Sequence, residues 1–222
     1  MGFFYDKNAG IDSLKVDAQA FDYIYKVRRT SDDNLLEFRN LKDDNIYVYR
    51  TDYLEKKSAM LKLVGSEEKP TKGVGISIGW CVVDPKIIEK TLPMLNELGV
   101  TNIDFIYSQY SQRNFSIRTE RLESILISSN QQCGRSDMMS FEIFDSLEKW
   151  VKAQNGFMVL DFGGEILPKD IAKHKFLIGP EGGFSEEERV ALAKQADNIY
   201  ALDTKLVLKS ETAAVMIAGR YV

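Results

Sequence analysis

The sequence contains one glycine-rich segment whose residue types suit a ligand site. Residues 176–178 form an apolar run that is too short for a helix, so the run reads as a buried strand. The loop at 179–184 follows, and its proline and paired glycines give the backbone conformations closed to other residues. Ser185 and Glu188 have capping-box spacing, which predicts the start of a helix. This order of elements favours a ligand-binding loop, although a tight turn without a ligand would have the same sequence.

The charges around this loop narrow the kind of ligand. Glu186, Glu187 and Glu188 occupy the first helical turn. Their carboxylates suit the positive end of the helix but would repel a phosphate. No Lys-Ser or Lys-Thr pair follows the glycines, and the spacing differs from the dinucleotide-binding fingerprint. A neutral or cationic ligand held by backbone groups therefore fits better than a phosphate.

A second polar segment lies at residues 206–214, shortly before the C-terminus. Lys209, Ser210, Glu211 and Thr212 stand there between apolar residues. We expect the final helix to open near Glu211, and capping of that helix by Ser210 and Thr212 would be a purely structural explanation of these polar residues.

The second half of the chain alternates strand and helix patterns that would position these segments. Strands are predicted at 74–80, 103–107 and 157–164, and the last is expected to end in a glycine loop at Gly163-Gly164. Helices are predicted from Pro85 to about Leu98 and over 118–131. Such alternation predicts a mainly parallel sheet, with ligands bound beyond the carboxyl ends of its strands.

The boundaries of the first helix have specific signals. Asp84 is the expected cap, Pro85 suits the first helical position and Gly99 suits a C-terminal stop. Pro93 lies inside the same helix and predicts a kink or a local disruption.

Residues 1–70 read as a separate β-rich region. Runs of strand length lie at 46–49 and 59–64, and aspartate-rich turns are expected at 32–34 and 43–45. These features predict a small β-barrel or sheet. The polar stretch 67–73 is the predicted linker between this region and the rest of the chain.

Composition excludes several classes of protein. No apolar run is long enough to span a bilayer, and the N-terminus lacks the pattern of a signal peptide. Cys81, Cys133 and His174 have no metal-ligand spacing. We therefore expect a cytoplasmic protein without a metal or a membrane segment. The formal net charge of −4 argues against a nucleic-acid partner unless positive charge is localised.

Two groups of basic residues offer such localisation. Arg113, Arg118, Arg121 and Arg135 lie in and around one predicted helix, where they suit either phosphate contacts or a salt-bridged surface. A second group, interspersed with acidic residues, suits either an RNA patch or a mixed solvated surface. Its members are Lys26, Arg28, Arg29, Arg39 and Arg50.

The two C-terminal segments together resemble the signature of the ribosomal small-subunit RNA uridine N3-methyltransferases of the SPOUT superfamily. Matching stretches lie at 179–188 and 208–214. Residues 97–103 are similar to the family's helix-to-strand turn, and 132–135 to its Gln-Ser/Cys-Gly-Arg motif. Residues 25–29 match a basic motif more weakly. The resemblance is specific towards the C-terminus and loose before residue 70.

This resemblance implies a fold, a cofactor and partners. Residues 73–222 would form an α/β SPOUT domain with a mainly parallel sheet and a deep C-terminal trefoil knot, and residues 1–70 a PUA-like β-barrel that binds RNA. The cofactor would be S-adenosylmethionine, and the substrate ribosomal RNA or the assembled small ribosomal subunit. A two-fold homodimer is also implied, with Val215, Met216 and Tyr221 as interface candidates.

The resemblance also implies roles for particular residues. The implied catalytic residues are Arg135, Lys209 and Glu211. The implied cofactor-binding residues are Leu160, Gly179, Pro180, Glu181, Gly182, Gly183, Leu202, Leu208, Thr212 and Ala213. The implied RNA-binding residues are Arg28, Arg29, Arg113, Arg118 and Arg121. The implied reaction is attack of a uridine N3 on the methyl sulfonium of the cofactor, after alignment of the two groups and removal of the N3 proton.

The chain departs from the family pattern at two places. Residues 206–209 read Leu-Val-Leu-Lys where the family usually has Arg-Ile-Leu-Arg, and Tyr110 precedes Ser111 where the family has an arginine. Two alternatives to the implied function stay open. One is a SPOUT enzyme that acts on another RNA such as transfer RNA, and the other is a non-catalytic RNA-binding protein that retains the fold.

Overall fold

A computed structural model describes residues 2–31, 34–172 and 175–222. The predicted turn residues Asp32 and Asp33 and the lone His174 lie outside these ranges. The chain divides into two compact units. The first comprises Met1–Lys72 and Asn130–Met138, and the second comprises Gly73–Ser129 and Met139–Val222.

The first unit is built on a five-stranded sheet. Its elements are β1 (Phe4–Tyr5), β2 (Ser13–Asp17), α1 (Ala18–Phe21) followed by a π-helical turn (Asp22–Val27), β3 (Leu36–Arg39), β4 (Asn45–Leu54) and β5 (Ser58–Glu68). The strand order is β1-β3-β4-β5-β2, and all pairs are antiparallel except β1 with β3. The sheet curls into a half-barrel, which confirms a small β structure in this part of the chain.

Alternating residues of these strands bury one face of the sheet. Leu14 and Val16 of β2 are buried between exposed neighbours, and Leu61 of β5 is buried between the partly buried Met60 and the exposed Lys62. Tyr49 of β4 joins the same core, and its hydroxyl donates a 2.8 Å hydrogen bond to the carbonyl of Ile11. Period-two burial of this kind makes the strand register specific.

The segment 130–138 extends the first unit from far along the chain. The side-chain oxygen of Gln131 accepts a 3.0 Å hydrogen bond from the backbone nitrogen of Tyr5. Ser136 and Thr71 exchange two hydrogen bonds, since the Ser136 nitrogen donates to the Thr71 carbonyl and the Thr71 nitrogen donates to Ser136 Oγ. Sequence patterns gave no indication of this pairing.

The second unit is a six-stranded, entirely parallel sheet flanked by helices. Its elements are β6 (Ile76–Cys81), α2 (Pro85–Glu97), β7 (Val100–Ile106), α3 (Thr119–Cys133), β8 (Ser140–Phe144), α4 (Leu147–Ala153), β9 (Met158–Ile166), β10 (Lys175–Ile178), α5 (Glu186–Gln195), β11 (Asn198–Ala201), α6 (Ser210–Ala218) and a 3₁₀ turn (Gly219–Tyr221). The strand order is β11-β9-β10-β6-β7-β8. The predicted α/β fold with a mainly parallel sheet is confirmed.

Local sequence signals explain the start and end of α2. The side chain of Asp84 accepts a 2.8 Å hydrogen bond from the Lys86 nitrogen, and Pro85 occupies the first helical position. Gly99 has a φ of +77°, the left-handed conformation that ends helices. The helix runs unbroken through Pro93, so the expected disruption is absent.

Gly163 and Gly164 do not form a loop after a strand, as the sequence predicts, but an irregular part of the strand itself. Both residues lie inside β9, which continues to Ile166. A Cβ on Gly164 would lie only 2.6 Å from the carbonyl oxygen of Ile199, in the neighbouring strand β11. The register of this strand pair shifts at Ile199 and Tyr200. The pairing jumps from Val159 opposite Ile199 to Glu165 opposite Tyr200, and Gly163 has a φ of +79°, so the strand bulges at this glycine pair. Gly163 permits the irregular backbone, and Gly164 leaves room for β11.

The sheet topology identifies where a ligand would bind. From β6 the chain moves outward to β7 and β8, whereas β10, β9 and β11 lie on the other side of β6. The two halves meet where β6 pairs with β10, from Lys175 opposite Ser77 to Ile178 opposite Trp80. Open parallel sheets bind ligands beyond the carboxyl ends of the strands at such a reversal of strand order.

None of the helices in the described part of the chain is long and apolar enough to cross a bilayer. The described residues also contain no group of three or more His, Cys, Asp or Glu side chains placed to hold a metal ion.

Candidate functional site

A cavity of about 270 Å³ lies beyond the carboxyl ends of β9, β10 and β11. Three chain segments form its walls, at 160–166, 178–184 and 200–213. The lining residues are Leu160, Asp161, Phe162, Gly163, Ile166, Ile178, Gly179, Pro180, Glu181, Gly183, Phe184, Tyr200, Ala201, Leu202, Thr204, Leu206, Val207, Leu208, Ser210 and Ala213. Most of this lining is apolar, with backbone groups of the loops supplying polar atoms, which is typical of a site for a small organic ligand.

The glycine loop turns tightly into the cavity wall. The Gly183 nitrogen donates a 2.9 Å hydrogen bond to the Pro180 carbonyl, and Gly183 has a φ of +68°. Gly182 does not have a left-handed φ, and a Cβ at that position would lie 3.2 Å from Cβ of Tyr110. The two glycines therefore serve different purposes: Gly183 permits the turn, and Gly182 leaves room for a tyrosine.

The predicted capping box is confirmed at the start of α5. Ser185 Oγ accepts a hydrogen bond from the Glu188 nitrogen at 3.2 Å, and Glu188 Oε2 accepts one from the Ser185 nitrogen at 3.0 Å. The other carboxylate oxygen of Glu188 accepts a 2.8 Å bond from the Gln109 nitrogen. Glu188 therefore ties the loop after β7 to the helix that follows the glycine loop.

An ion pair that sequence reasoning missed joins the cavity wall to α5. Arg189 donates to both carboxylate oxygens of Asp161, at 2.7 Å from Nε and 3.2 Å from Nη2. This hydrogen bonding raises the pKa of Arg189 above its ordinary value. The guanidinium is thus committed to Asp161 and is poorly suited to hold a phosphate in the cavity.

Ser210 does not cap α6, contrary to one expectation from the sequence. The cap position is Lys209, which makes no side-chain capping bond. Ser210 Oγ instead accepts a 2.7 Å hydrogen bond from Trp80 Nε1 and lies 2.7 Å from the Gly179 carbonyl oxygen, to which it donates. The start of the last helix is thereby fixed to the start of the glycine loop.

The structure brings most of the cofactor-binding candidates together. Those that line the cavity are Leu160, Gly179, Pro180, Glu181, Gly183, Leu202, Leu208 and Ala213. Gly182 and Thr212 do not line it, and Thr212 is exposed to solvent.

The catalytic candidates have distinct environments. Lys209 is exposed, with Nζ 4.0 Å from Glu211 Oε1. The other carboxylate oxygen of Glu211 is buried and has no hydrogen-bond partner among the described residues. Arg135 belongs to the first unit, where its guanidinium makes two 2.9 Å bonds to the carboxylate of Asp137 and is almost fully buried.

The RNA-binding candidates also differ in their surroundings. In the first unit the Arg28 guanidinium lies over the rings of Phe4 and Tyr23, 5.4 Å and 5.3 Å from their centres. Arg29 has a left-handed φ of +51°. In the second unit Arg121 pairs with Glu89 at 3.1 Å, whereas Arg113 and Arg118 are exposed.

An exposed apolar rim surrounds part of the cavity. Four of its large apolar lining residues are more than half exposed, namely Phe162, Ile166, Leu206 and Val207. We refer to these four residues as the apolar rim. A contiguous exposed apolar surface of this kind marks an interaction site in soluble proteins.

The cysteine of the second unit is not a nucleophile in the folded protein. Burial raises the pKa of the Cys81 thiol to about 12, and the residue is inaccessible to solvent. A neutral, buried thiol cannot attack a substrate.

Comparisons with known proteins agree with this geometry. The model of the RNA methyltransferase domain family matches residues 70–221. The ribosomal RNA small subunit methyltransferase E of Helicobacter pylori is 40% identical over 226 residues, which cover 99% of this chain and 98% of that protein. The protein of the same name from Aquifex aeolicus is 29% identical, over 88% of each chain.

A solved structure has the same fold. The ribosomal RNA small subunit methyltransferase E of Neisseria gonorrhoeae, crystallised with S-adenosyl methionine, superposes with a TM-score of 0.78. That match covers 99% of this chain and 96% of the other at 20% identity. From the family match and the full-length similarity to the Helicobacter protein, we conclude that the chain belongs to the RNA methyltransferase domain family.

Proposed function

We propose that this protein is an S-adenosylmethionine-dependent methyltransferase that methylates N3 of a uridine in 16S ribosomal RNA. The observation that carries the proposal is the cavity at the carboxyl ends of β9, β10 and β11, which lies inside the region matched by the family model. The full-length similarity to a small-subunit ribosomal RNA methyltransferase supports the RNA class.

The chemistry of the cavity fits the cofactor. S-adenosylmethionine supplies a methyl group on a positively charged sulfonium, and its adenine needs an apolar slot with a few backbone hydrogen bonds. Leu160, Leu202 and Leu208 offer apolar walls for the adenine, and the backbone of Gly179 and Gly183 can approach it closely. Glu181 adds a carboxylate at the cavity wall, which favours a cation. The cavity thus suits a sulfonium better than a phosphate.

The residues of the chain must align the uridine and remove its N3 proton. We assign the proton acceptor to Glu211, because one of its carboxylate oxygens is buried without a hydrogen-bond partner in the described part of the chain. Lys209 would bind RNA near this carboxylate. Arg135 is paired with Asp137 within the first unit, and its proposed contribution is to RNA recognition there. A covalent enzyme intermediate is not part of the proposal, since the Cys81 thiol is buried and its pKa is raised.

We further propose roles for the two units. The first unit would be the PUA-like RNA-binding domain, a role supported by its half-barrel sheet and by Arg28 and Arg29. In the second unit, residues 203–213 would pass through an upstream loop to close the trefoil knot. The convergence of three separate chain segments on one cavity supports this arrangement.

The apolar rim supports a homodimer. Phe162, Ile166, Leu206 and Val207 are exposed beside the cavity, and Met216 of α6 is also exposed. Covering such a surface with a second copy would remove apolar area from water and exclude solvent from the reaction. The proposed substrate is the assembled small subunit or its RNA in the cytoplasm.

Mass mapping of ribosomal RNA from cells with and without the gene tests the proposal. One N3-methyluridine should be lost from the small-subunit RNA when the protein is absent and should return when the gene is restored. Loss of a methyl group from transfer RNA instead would assign a different substrate. Unchanged RNA together with measured S-adenosylmethionine binding would indicate a protein that kept the fold without the reaction.

A further inference from the structure

Aromatic side chains of the second unit are mostly buried, with two clear exceptions. Within the described residues of that unit, only Tyr110 and Phe162 are aromatic and more than half exposed, at 52% and 65%. Phe162 lines the cavity, whereas Tyr110 lies outside it and packs against Gly182 of the adjoining glycine loop. Exposed aromatic side chains are enriched at binding interfaces.

The neighbours of these two rings point to different partners. Phe162 belongs to the apolar rim together with aliphatic residues, which suits a protein surface. Around Tyr110, by contrast, the exposed residues are polar or cationic. They are Gln109, Gln112, Arg113 and Asn114. A flat ring surrounded by amide groups and a guanidinium suits a nucleotide, which presents a π-face and an adjoining phosphate.

Hydrogen bonds of the neighbouring residues fix the turn that carries Tyr110. The Ser111 nitrogen donates to the Ser108 carbonyl at 3.2 Å, and the two buried hydroxyls of Ser108 and Ser111 are 3.0 Å apart. Next to them, the Gln109 nitrogen donates to Glu188 Oε1 at 2.8 Å. A ring on such a turn is positioned before any ligand arrives, so little conformational entropy is lost when a base stacks on it.

Cationic groups lie on the other side of the same turn. Arg113 and Gln109 line a second cavity of about 610 Å³, which Lys152 also borders. Lys152 is paired with Glu148 at 2.6 Å, and Glu187 and Glu188 add further carboxylates to the lining. Arg113 makes no ion pair with any described residue, so its guanidinium is available for a phosphate.

We propose that Tyr110 is the stacking residue for the RNA base that is methylated, and that it positions this base beside the cofactor loop. The inference rests on the proposed function and identifies how that function selects its substrate. N3 lies on the pairing edge of uracil, so the base must leave its paired or stacked position to react. Stacking on Tyr110 would offset the free energy that the base loses when it leaves its stacked position in the RNA. Arg113 would bind the adjoining phosphate.

Four proteins test the assignment: the parent, Tyr110→Phe, Tyr110→Leu and Tyr110→Ala. We would measure kcat/KM with small ribosomal subunits at saturating cofactor, and cofactor affinity by calorimetry. Since a base stack is worth about 1–3 kcal/mol, Leu and Ala should lower kcat/KM by about five-fold or more. Phe should stay within about two-fold of the parent because it keeps the ring. Cofactor affinity should be unchanged in all four. Ser124→Ala, at an exposed position of α3 whose hydroxyl bonds only to the Glu120 carbonyl of the same helix, is the control and should behave as the parent does.

A binding assay separates this inference from the proposed function. A single-stranded uridine-rich oligonucleotide with one 2-aminopurine reports stacking by loss of fluorescence. The parent and Tyr110→Phe should quench this probe more than Tyr110→Leu and Tyr110→Ala do, even if the parent methylates no ribosomal subunit. Equal quenching by all four proteins would overturn the assignment. So would equal kcat/KM in parent and Tyr110→Ala, or a fall in Tyr110→Phe as large as in Tyr110→Ala. Loss of cofactor affinity in the Leu and Ala variants would show that the ring only supports Gly182.

Discussion

Trp80 Nε1 donates a 2.7 Å hydrogen bond to Ser210 Oγ, although the two residues lie 130 positions apart in the chain. The same hydroxyl donates to the Gly179 carbonyl at 2.7 Å. One buried serine therefore connects the end of β6, the first residue of the glycine loop and the start of α6. These are the three elements on which the cavity and its neighbouring catalytic candidates depend.

Replacing Ser210 with alanine should destabilise the second unit. The change leaves the buried Trp80 N–H and the Gly179 carbonyl without this partner, at a cost of about 1–3 kcal/mol. Urea denaturation followed by tryptophan fluorescence measures the effect, and the cofactor should also bind less tightly. Ser124→Ala is the control, because Ser124 is exposed and its hydroxyl bonds only to the Glu120 carbonyl of the same helix. Equal stability of the Ser210 and Ser124 variants would contradict the connecting role.

Glu181 should favour the charged form of the cofactor. Its exposed carboxylate lines the cavity, where it would attract the sulfonium of S-adenosylmethionine more than the neutral thioether of S-adenosylhomocysteine. We expect Glu181→Gln to weaken S-adenosylmethionine several-fold, by about 1 kcal/mol, and to change S-adenosylhomocysteine little. Glu186→Gln, in the exposed first turn of α5, should alter neither. An equal loss for both ligands in calorimetric titrations would show that charge is not the cause.

The two loop glycines should give different defects when replaced. Gly183→Val forces a β-branched residue into a φ of +68° at the cavity wall, so cofactor affinity should fall by about five-fold or more, given a strain of about 1–3 kcal/mol. Gly182→Val should crowd Tyr110 and reduce turnover on RNA more than cofactor affinity. Lys209→Ala, a change at an exposed residue, should likewise affect RNA binding or turnover and leave cofactor affinity intact. Gly183→Val with parental cofactor affinity and a native fold would mean that this loop is not a binding loop.

The two cysteines should react very differently with alkylating reagents. Burial raises the pKa of Cys81 from an ordinary value of 9.0 to about 12, whereas Cys133 is exposed. At pH 8 iodoacetamide should therefore modify Cys133 and spare Cys81, as peptide mass mapping would show. Because the folded pKa is the higher one, the neutral thiol contributes its full stability below pH 9, and this contribution declines as the pH rises from 9 towards 12.

Denaturant provides the control for this experiment. Unfolding in urea at pH 8 should expose Cys81 and make both cysteines react. Rapid modification of Cys81 in the folded protein would contradict its burial and would reopen a covalent mechanism.

Sequence patterns predicted the elements of the site well where the signals are local. Ser185 and Glu188 are close in the chain, so their capping box could be identified without a structure, and the same is true of Asp84 with Pro85. Pro93 shows the limit of such signals, because tertiary packing keeps α2 continuous in spite of a residue with poor helix propensity.

The interactions that escaped prediction join distant residues. Arg189 and Asp161 are 28 positions apart, and Ser210 bonds to Trp80 across 130, so no spacing rule could pair them. A glycine pair usually marks a turn, and Gly163 does have a left-handed φ, whereas Gly164 lacks a side chain because the backbone of β11 lies against it. A glycine in the sequence can indicate a close approach, but only the structure identifies the neighbouring group, here the backbone of β11.

The proposed methylation of a uridine N3 in 16S ribosomal RNA can be measured as the transfer of a labelled methyl group from S-adenosylmethionine to purified small ribosomal subunits. The subunits should come from cells that lack this protein, so that the target site is unmodified. We expect the parent to transfer one methyl group per subunit and Gly183→Val to transfer far less at limiting cofactor. Nuclease digestion and mass spectrometry should identify the product as N3-methyluridine. No transfer by a folded parent that binds the cofactor, or a methyl group on any other atom, would contradict the proposed methylation.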